Sequence, residues 1–326
     1  MKKTVLALAM CVPLAGCANA VSTDSGDSGG GTYPAEGSSV ELLLPLSPGG
    51  TTDIWARILS DALVGKTGAR VQVVNDTSGG GLATYTDVIQ NPDDTSQVTD
   101  FNLPSALKYM YPDTGATFSR DDLAPVGCTG YTPNVIVVNS DSKYHTLQDL
   151  IDDARAHPGQ VDAAADGALS DDTVAYANLE KAADAKFNIA VVDGTSEKVT
   201  ALLGKDVDFF SAGITGVLPQ IESGDFRVLA TMANQRSPFL KDVPTAKEQG
   251  VDVQSDSYFC LAMGAGAPES DRADLEQALR EVSQDPDYRK ANADVAMQVR
   301  FLDGQEMAKE IRHQEQVIRK VIDQIH

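Results

Sequence analysis

Two consecutive segments, each a short apolar run followed by glycines and a helical pattern, constrain the fold of this chain most strongly. In the first, Val40 to Leu63, the apolar run leads through Pro48-Gly49-Gly50 into a one-sided helical stripe. The second, Ala69 to Val88, repeats this order around Ser78 to Gly81. Consecutive βα units place their turns at the same carboxyl edge of a parallel sheet, where α/β proteins bind ligands. The sequence therefore predicts an α/β fold with a ligand site at these two turns.

The glycine turns favour an anionic ligand. The start of a helix presents unpaired N–H groups and the positive end of the helix dipole, so it can bind an anion without a basic side chain. Neither turn carries the G-x-x-x-x-G-K-[ST] or G-x-G-x-x-G pattern of nucleotide sites. A small carboxylate is therefore expected rather than a phosphate.

Length and charge narrow the classes of partner. The chain has 326 residues, enough for two domains of ordinary size, and 42% of them are hydrophobic. Its formal net charge of −21 argues against nucleic acid or an anionic membrane surface as partner. This charge still allows an anionic ligand, because a closed cleft presents its own local donors. No metal and no cofactor are predicted.

The N-terminus carries a targeting signal. A charged start, Met1 to Lys3, precedes the apolar run Val5 to Leu14, as in a secretory signal peptide. The run ends in Leu14-Ala15-Gly16-Cys17, which matches the bacterial lipobox. Residues 1–17 are therefore predicted to be a lipoprotein signal peptide with lipidation at Cys17. Residues 18–39, rich in Ser, Gly, Thr and Asp, are predicted to be a flexible tether. The protein is expected to be exported and anchored by lipid to the outer face of the cell membrane.

Two cysteines remain after the signal peptide, Cys128 and Cys260. An exported protein permits a disulfide between them, and two buried free thiols are the alternative. The residues alone leave both possibilities open.

Beyond the two turns, strands and helices alternate, which predicts mostly parallel sheets with helices on both faces. Val126 to Val138 is predicted to be a strand interrupted at Tyr131-Thr132-Pro133, and Tyr258 to Met263 is a further strand. From there on the chain is predicted to be helical, in the segments Ser270–Gln284, Asp287–Ala293 and Gly304–Ile325.

Several motifs together resemble one family. They are P-G-G-x-x-D followed by A-R from Pro48 to Arg57, a loose second motif from Val73 to Gly81, D-x-A-P-V at Asp122, T-P-N-V-I-V-V at Thr132, R-S-P-x-x-x-D-V-P-T-x-x-E-x-G at Arg236 and S-Y-F-C-L-A-M-G-A-G-A-P at Ser257. This set is similar to the tripartite tricarboxylate transporter substrate-binding proteins, the TctC or Bug family. The likeness runs from about Val40 to the C-terminus.

The resemblance implies a two-lobed fold like that of periplasmic binding proteins. Each lobe would be a mostly parallel sheet flanked by helices, and crossing hinge strands would join the two. Residues 40–131 and 257–326 would form lobe one, and residues 132–256 would form lobe two. Cys128 and Cys260 then fall on the two crossing segments, which favours the disulfide.

The resemblance also implies which residues hold the ligand. Lobe one would bind one carboxylate through backbone N–H groups, and lobe two would close over its far end. Asp53 would act mainly as a helix cap. Asp171 and Asp172 stand where relatives often have Ser and His, and an extra carboxylate facing the cleft would disfavour a tricarboxylate. The expected ligand residues are Gly49, Gly50, Thr51, Thr52, Ser78, Gly79, Gly80, Gly81, Ser170, Asp171, Gly194 and Thr195.

The function implied is that of a lipid-anchored receptor, which captures a small carboxylate and delivers it to the two integral membrane subunits of a tripartite transporter. A ligand sensor for a signalling kinase uses the same closure and is the alternative. An extracytoplasmic enzyme acting on a carboxylate is a third reading. The chain lacks G-x-S-x-G and H-E-x-x-H and has four histidines, so no enzymatic activity is expected.

Overall fold

The two apolar runs before the glycine turns form neighbouring parallel strands. In this computed structural model, which describes residues 32–111, 114–166, 170–192 and 194–325, strand β1 (Ser39–Leu44) pairs in parallel with β2 (Arg70–Asn75). Helix α1 (Thr51–Thr67) connects them and buries Trp55, Leu59 and Leu63, which recur every four residues along one face. It ends at Gly68, whose φ of 73° is the left-handed conformation that glycine adopts most easily.

The rest of the chain continues the alternation of strands and helices. The strands are β3 (Gln97–Asp100), β4 (Leu123–Asn139), β5 (Asp162–Asp166), β6 (Asn188–Val192), β7 (Phe209–Gly213), β8 (Phe226–Thr231), β9 (Asp256–Gly264) and β10 (Gln298–Asp303). The helices are α2 (Leu82–Gln90), α3 (Leu147–Ala156), α4 (Asp171–Ala183), α5 (Gly194–Gly204), α6 (Ile214–Ser223), α7 (Glu269–Gln284), α8 (Pro286–Asp294) and α9 (Gly304–Ile325). Short 3₁₀ helices lie at Leu107–Met110, Arg120–Asp122 and Lys247–Gln249, and Ser78–Gly81 forms a turn with left-handed glycines.

The described strands form one mixed sheet organised around β4. The order is β2-β1-β3-β9-β4-β7-β5-β6, and β10 and β8 also pair with β4. We call β1–β3, β9 and β10 with their helices the first half, and β5–β8 with theirs the second half. The outer strands of each half are parallel, as the alternation predicted. The pairs made by β4 and β9 are antiparallel, because these strands cross between the halves in opposite directions.

Strand β4 is continuous through Tyr131-Thr132-Pro133, where the sequence predicted an interruption. The feature at this point is a change of partner: Pro133 pairs with Asp256 of β9, whereas Asn134 pairs with Gly213 of β7. Proline has no N–H to donate to a ladder, so it is suited to a place where pairing changes. The predicted lobe boundary between residues 131 and 132 remains a prediction, and the change of pairing lies two residues beyond it.

The crossing strands also bring the two cysteines together. Cys128 of β4 lies directly opposite Cys260 of β9, and a disulfide joins them. Of the two possibilities that the residues left open, the structure has the bonded form. Separate clusters of buried side chains cover the sheet in each half, with Trp55 against Phe259 in the first and Tyr176 against Phe209 in the second.

Packing at the N-terminal side begins before β1. The backbone N–H of Tyr33 donates to Asp274 Oδ2 at 3.0 Å, its hydroxyl donates to the carbonyl of Thr95, and Pro34 is buried. These residues belong to the segment that the composition assigned to a flexible tether, so its last part packs on the folded body. Cys17 and the signal peptide lie outside the described residues. Among the residues that are described, no helix combines the length and the apolar character needed to cross a membrane.

Candidate functional site

The first glycine turn leaves several backbone donors free at the start of α1. Gly49 has a left-handed φ of 84°, and Gly50 is the N-cap residue. The first backbone bond within the helix runs from the N–H of Ile54 to the carbonyl of Gly50 at 3.0 Å. The N–H groups of the preceding turn, including those of Thr51 and Thr52, therefore have no acceptor in the helix. They are suited to bind an anion.

Asp53 holds this turn in place rather than capping the helix. Its Oδ2 accepts hydrogen bonds from the Gly49 N–H at 3.0 Å and from Arg57 Nε at 2.9 Å. Burial alone raises the pKa of Asp53, but the hydrogen bonds from Arg57 and Gly49 outweigh burial and bring the pKa below its ordinary value. The Gly49 N–H is thus already used, so Gly50, Thr51 and Thr52 supply the free donors of this turn.

The second turn consists of three successive glycines in the left-handed region. The φ values of Gly79, Gly80 and Gly81 are 61°, 69° and 83°, which residues with a side chain rarely adopt. The Ser78 N–H donates to Asp76 Oδ1 at 2.8 Å. Lys108 Nζ donates to the Gly80 carbonyl, so a cation lies beside this turn. The sequence did not reveal Lys108, because it comes from a separate 3₁₀ helix.

The two turns lie against each other, as the consecutive βα units predicted. A Cβ atom at Gly81 would overlap the carbonyl oxygen of Pro45 in the first turn, so only glycine fits there. Asn75 links the turns further: its Nδ2 donates to the Leu46 carbonyl at 3.0 Å, and its Oδ1 accepts from Arg57 at 3.3 Å. The first half thus presents both turns as one preformed surface.

In the second half, the start of α4 is satisfied by residues of the same half. A serine caps the helix, and a lysine compensates the charge of a carboxylate in its first turn. Ser170 is the N-cap residue, and its Oγ accepts from the Thr173 N–H at 3.3 Å. Asp172 is 2% exposed, and its Oδ2 lies 2.6 Å from Lys198 Nζ of α5. Asp172 is therefore buried and paired, and it does not present a free carboxylate to the cleft. Asp171 begins α4, and its side chain lies outside what the structure describes.

The starts of three helices converge between the two halves. Gly194, with a φ of 80°, opens α5 and is followed by Thr195. Gly216 lies in the first turn of α6. A Cβ atom there would stand 2.8 Å from Thr51 Oγ1 of α1 and 3.2 Å from Thr195 Cγ2 of α5. The two predicted threonines thus meet at one point, and Gly216, which the sequence analysis missed, provides the space for it.

This arrangement suits capture of a small anion by main-chain donors. The positive ends of α1, α5 and α6 point toward one region, and helix starts of this kind stabilise negative charge. The Thr51 and Thr195 hydroxyls can add donors from opposite sides. Within the described residues, no group of three or more His, Cys, Asp or Glu side chains is arranged to hold a metal ion.

The chain is similar to known solute receptors in sequence. Residues 55–326 match the family described as "Tripartite tricarboxylate transporter family receptor". Protein BugT of Bordetella pertussis is 29% identical over 252 residues, which cover 77% of this chain and 74% of BugT.

Two solved structures share the fold. MatC from Rhodopseudomonas palustris with bound malate has a TM-score of 0.75 and 21% identity, and covers 86% of this chain and 98% of MatC. The periplasmic binding protein BugD has a TM-score of 0.78 and 21% identity, over 88% of this chain and 97% of BugD. These likenesses confirm the predicted α/β fold of the periplasmic-binding-protein type.

Proposed function

The chain belongs to the tripartite tricarboxylate transporter receptor family, and we propose that it captures a small carboxylate in the cleft between its halves and delivers it to two integral membrane subunits of a transporter. It would do so outside the cytoplasm, held to the membrane by lipid on Cys17, and without changing the ligand chemically. The lipobox Leu14 to Cys17 supports the anchor. The receptor family supports the partnership with a transporter.

The observation that carries the proposal is the meeting of helix starts at Thr51, Thr195 and Gly216. Donors that belong to the backbone are fixed before the ligand arrives, so little freedom is lost on binding. The strongly acidic surface does not oppose this, because screened surface charges act weakly on a cleft that supplies its own donors. Internal pairing of Asp172 with Lys198 also removes one carboxylate that would repel an anion.

The order of events follows from the two halves. The paired turns of the first half are preformed and would bind the carboxylate first. The second half would then bring Thr195 and the start of α6 to the ligand. Because these contacts exist only in the closed form, the ligand shifts the equilibrium from the open form to the closed form. The malate in MatC makes a dicarboxylate the first ligand to try. Ser170 and Asp171 remain predicted parts of the site.

The test is a thermal-shift screen of the purified full chain against dicarboxylates, tricarboxylates and aromatic acids, with neutral and amine controls. A specific ligand at about 100 times its dissociation constant adds about 2.7 kcal/mol to the free energy of unfolding. We expect one or a few carboxylates to raise the melting temperature. Shifts with only neutral or cationic compounds would overturn the proposal.

The variant Gly50→Asp separates binding from folding. Gly50 has ordinary extended backbone angles, a Cβ atom there would make only an ordinary contact at 3.9 Å with the Ser47 carbonyl oxygen, and Asp is a favourable N-cap residue. The variant should fold as well as the wild type, yet its carboxylate would occupy the N–H groups and repel the ligand. Gly65→Asp, at the exposed far end of α1, is the matched control and should keep its affinity. Unchanged affinity in Gly50→Asp would sink the assignment of this turn.

A further inference from the structure

A second cavity lies beside the crossing strands, away from the glycine turns. Its volume is about 720 Å³, and none of the predicted ligand residues lines it. Its walls come from both halves: Tyr131 of β4, Tyr258 of β9, Arg300 of β10 and the segment 233–238 that follows β8. Cleft capture as described above uses none of these side chains.

The lining is basic although the chain is acidic. Arg236, Lys241 and Arg300 line the cavity, against one acidic residue, Asp256. Arg236 is paired with Glu248 at 2.9 Å, whereas Lys241 and Arg300 make no ion pair with the described residues. In a protein with 47 acidic and 26 basic residues, this local excess of positive charge favours an anion.

Asp256 is hydrogen-bonded by neutral partners, so it keeps its charge and offsets one of the two cations without an ion pair, which leaves an excess of one positive charge. It is 6% exposed, and its Oδ2 accepts from the Tyr131 hydroxyl at 2.9 Å and from Gln254 Nε2 at 3.0 Å. Burial, followed by the charge of Asp256, raises the pKa of Tyr258 to about 12, so that hydroxyl also stays protonated at neutral pH. The polar floor of the cavity is thus fixed.

Arg300 is positioned to receive a ligand. Its guanidinium lies 5.2 Å from the ring centre of Tyr131 and 5.1 Å from that of Tyr258, and the side chain is exposed on its other side. Stacking on aromatic rings orients the planar group; one of its N–H groups interacts with the Tyr258 hydroxyl, and its other N–H groups can reach a ligand. A guanidinium presented in this way suits two parallel hydrogen bonds to a carboxylate or a phosphate.

We propose that this cavity is a second binding site, for a small carboxylate or phosphate anion, in which Arg300 and Lys241 are the charged partners. Because both halves contribute to its walls, its shape depends on their relative position, so occupancy of this site and of the cleft would be linked. The site does not depend on the cleft being a carboxylate receptor.

The experiment is calorimetric titration of the full chain with inorganic phosphate and, separately, with malate. It is done in the Gly50→Asp background, where the cleft is blocked. We expect one of the anions to bind and its dissociation constant to rise about tenfold or more in Arg300→Gln and in Lys241→Gln, because each change removes a charged hydrogen-bond donor. Which anion binds more tightly identifies the source of the ligand.

Arg312→Gln is the matched control, because Arg312 is an exposed arginine of α9 that does not line the cavity. It should bind as the unsubstituted protein does. Equal affinity in Arg300→Gln, Lys241→Gln and Arg312→Gln, or no binding of either anion at millimolar concentration, overturns the second site. Loss of carboxylate binding in the single variant Gly50→Asp tests the cleft and does not bear on the second site.

Discussion

Asp53 in the first half and Asp172 in the second each stand in the first turn of a helix, and their charges are compensated in different ways. Asp53 of α1 is paired at 2.8 Å with Arg57, four residues along the same helix, and the arginine side chain is 54% exposed. Asp172 of α4 is paired at 2.6 Å with Lys198 of another helix, and both side chains are at most 3% exposed. The first pair is local and partly solvated, whereas the second is buried and joins separate elements.

The difference shows how each half obtains its shape. An exposed pair within one helix contributes little, so the first glycine turn depends mainly on its backbone and on Asn75. A buried pair depends on both partners, because removal of one leaves an uncompensated charge without water. Lys198 also donates to the carbonyl of Ser211 at 3.0 Å, so it ties α4, α5 and β7 together. The glycine turn of the first half is therefore preformed locally, whereas the start of α4 in the second half depends on a side chain from another helix.

Replacing Lys198 should have the largest effect on the free energy of unfolding. In Lys198→Met the apolar stem is kept, but Asp172 and the nearby Asp166 both lose their cation, and we expect the free energy of unfolding to fall by about 3–5 kcal/mol. Urea denaturation measures this loss. Adding Asp172→Asn should recover part of it, because the buried charge is then removed as well.

The matched control is Lys186→Met. Lys186 Nζ lies 2.6 Å from Glu180, the same distance as in the buried pair, but its side chain is 70% exposed. The free energy of unfolding of Lys186→Met should fall by no more than about 1 kcal/mol. If Lys198→Met costs no more than Lys186→Met, burial does not distinguish the two pairs and the comparison fails.

The contact between the halves at Gly216 should matter for the affinity of the cleft ligand. Gly216→Val places a branched side chain where Thr51 Oγ1 and Thr195 Cγ2 would lie 2.8 Å and 3.2 Å from its Cβ. Closure should be hindered while each half stays folded, so the dissociation constant of the cleft ligand should rise about 10- to 100-fold. Calorimetry with the carboxylate found in the screen measures it.

Gly65→Val makes the same substitution in α1, where no atom lies within 4 Å of the added carbon. It should leave the affinity unchanged. An equal affinity in Gly216→Val and Gly65→Val would show that the three helix starts do not close on the ligand.

The sequence predicted what depends on local pattern. The glycine turns, the start of α1 and the strands β4 and β9 follow from apolar runs, glycines and helix periodicity within single segments, whereas the crossing of these strands came from the resemblance to a family. Lys198, Lys108 and Gly216 were missed, because their roles arise from contacts with residues far along the chain. Strand β10 was also missed: Gln298 to Asp303 holds only three apolar residues, Val299, Phe301 and Leu302, and this short run lies between two helical patterns. Arg300, and with it the second cavity, depended on that strand.

The smallest effect on the free energy of unfolding is expected for the ion pair between Asp53 and Arg57. Asp53→Asn keeps the shape of the side chain but weakens the bonds to Arg57 and to the Gly49 N–H, so the free energy of unfolding should fall by about 1 kcal/mol at neutral pH. Asp61→Asn, an exposed position on the same helix, is the control and should change it by less.

The pH dependence of this loss tests whether the charge of Asp53 is its cause. The pKa of Asp53 in the folded chain lies below its ordinary value of 3.8, so the contribution of the carboxylate is complete above that pH. As the pH falls through the folded-state pKa, the carboxylate is protonated and the contribution disappears. The difference between the wild type and Asp53→Asn in urea denaturation should therefore be constant above about pH 4 and shrink in stronger acid. A difference that persists unchanged in acid would mean that the charge of Asp53 is not its cause, and the turn of the first half would then owe nothing to the ion pair.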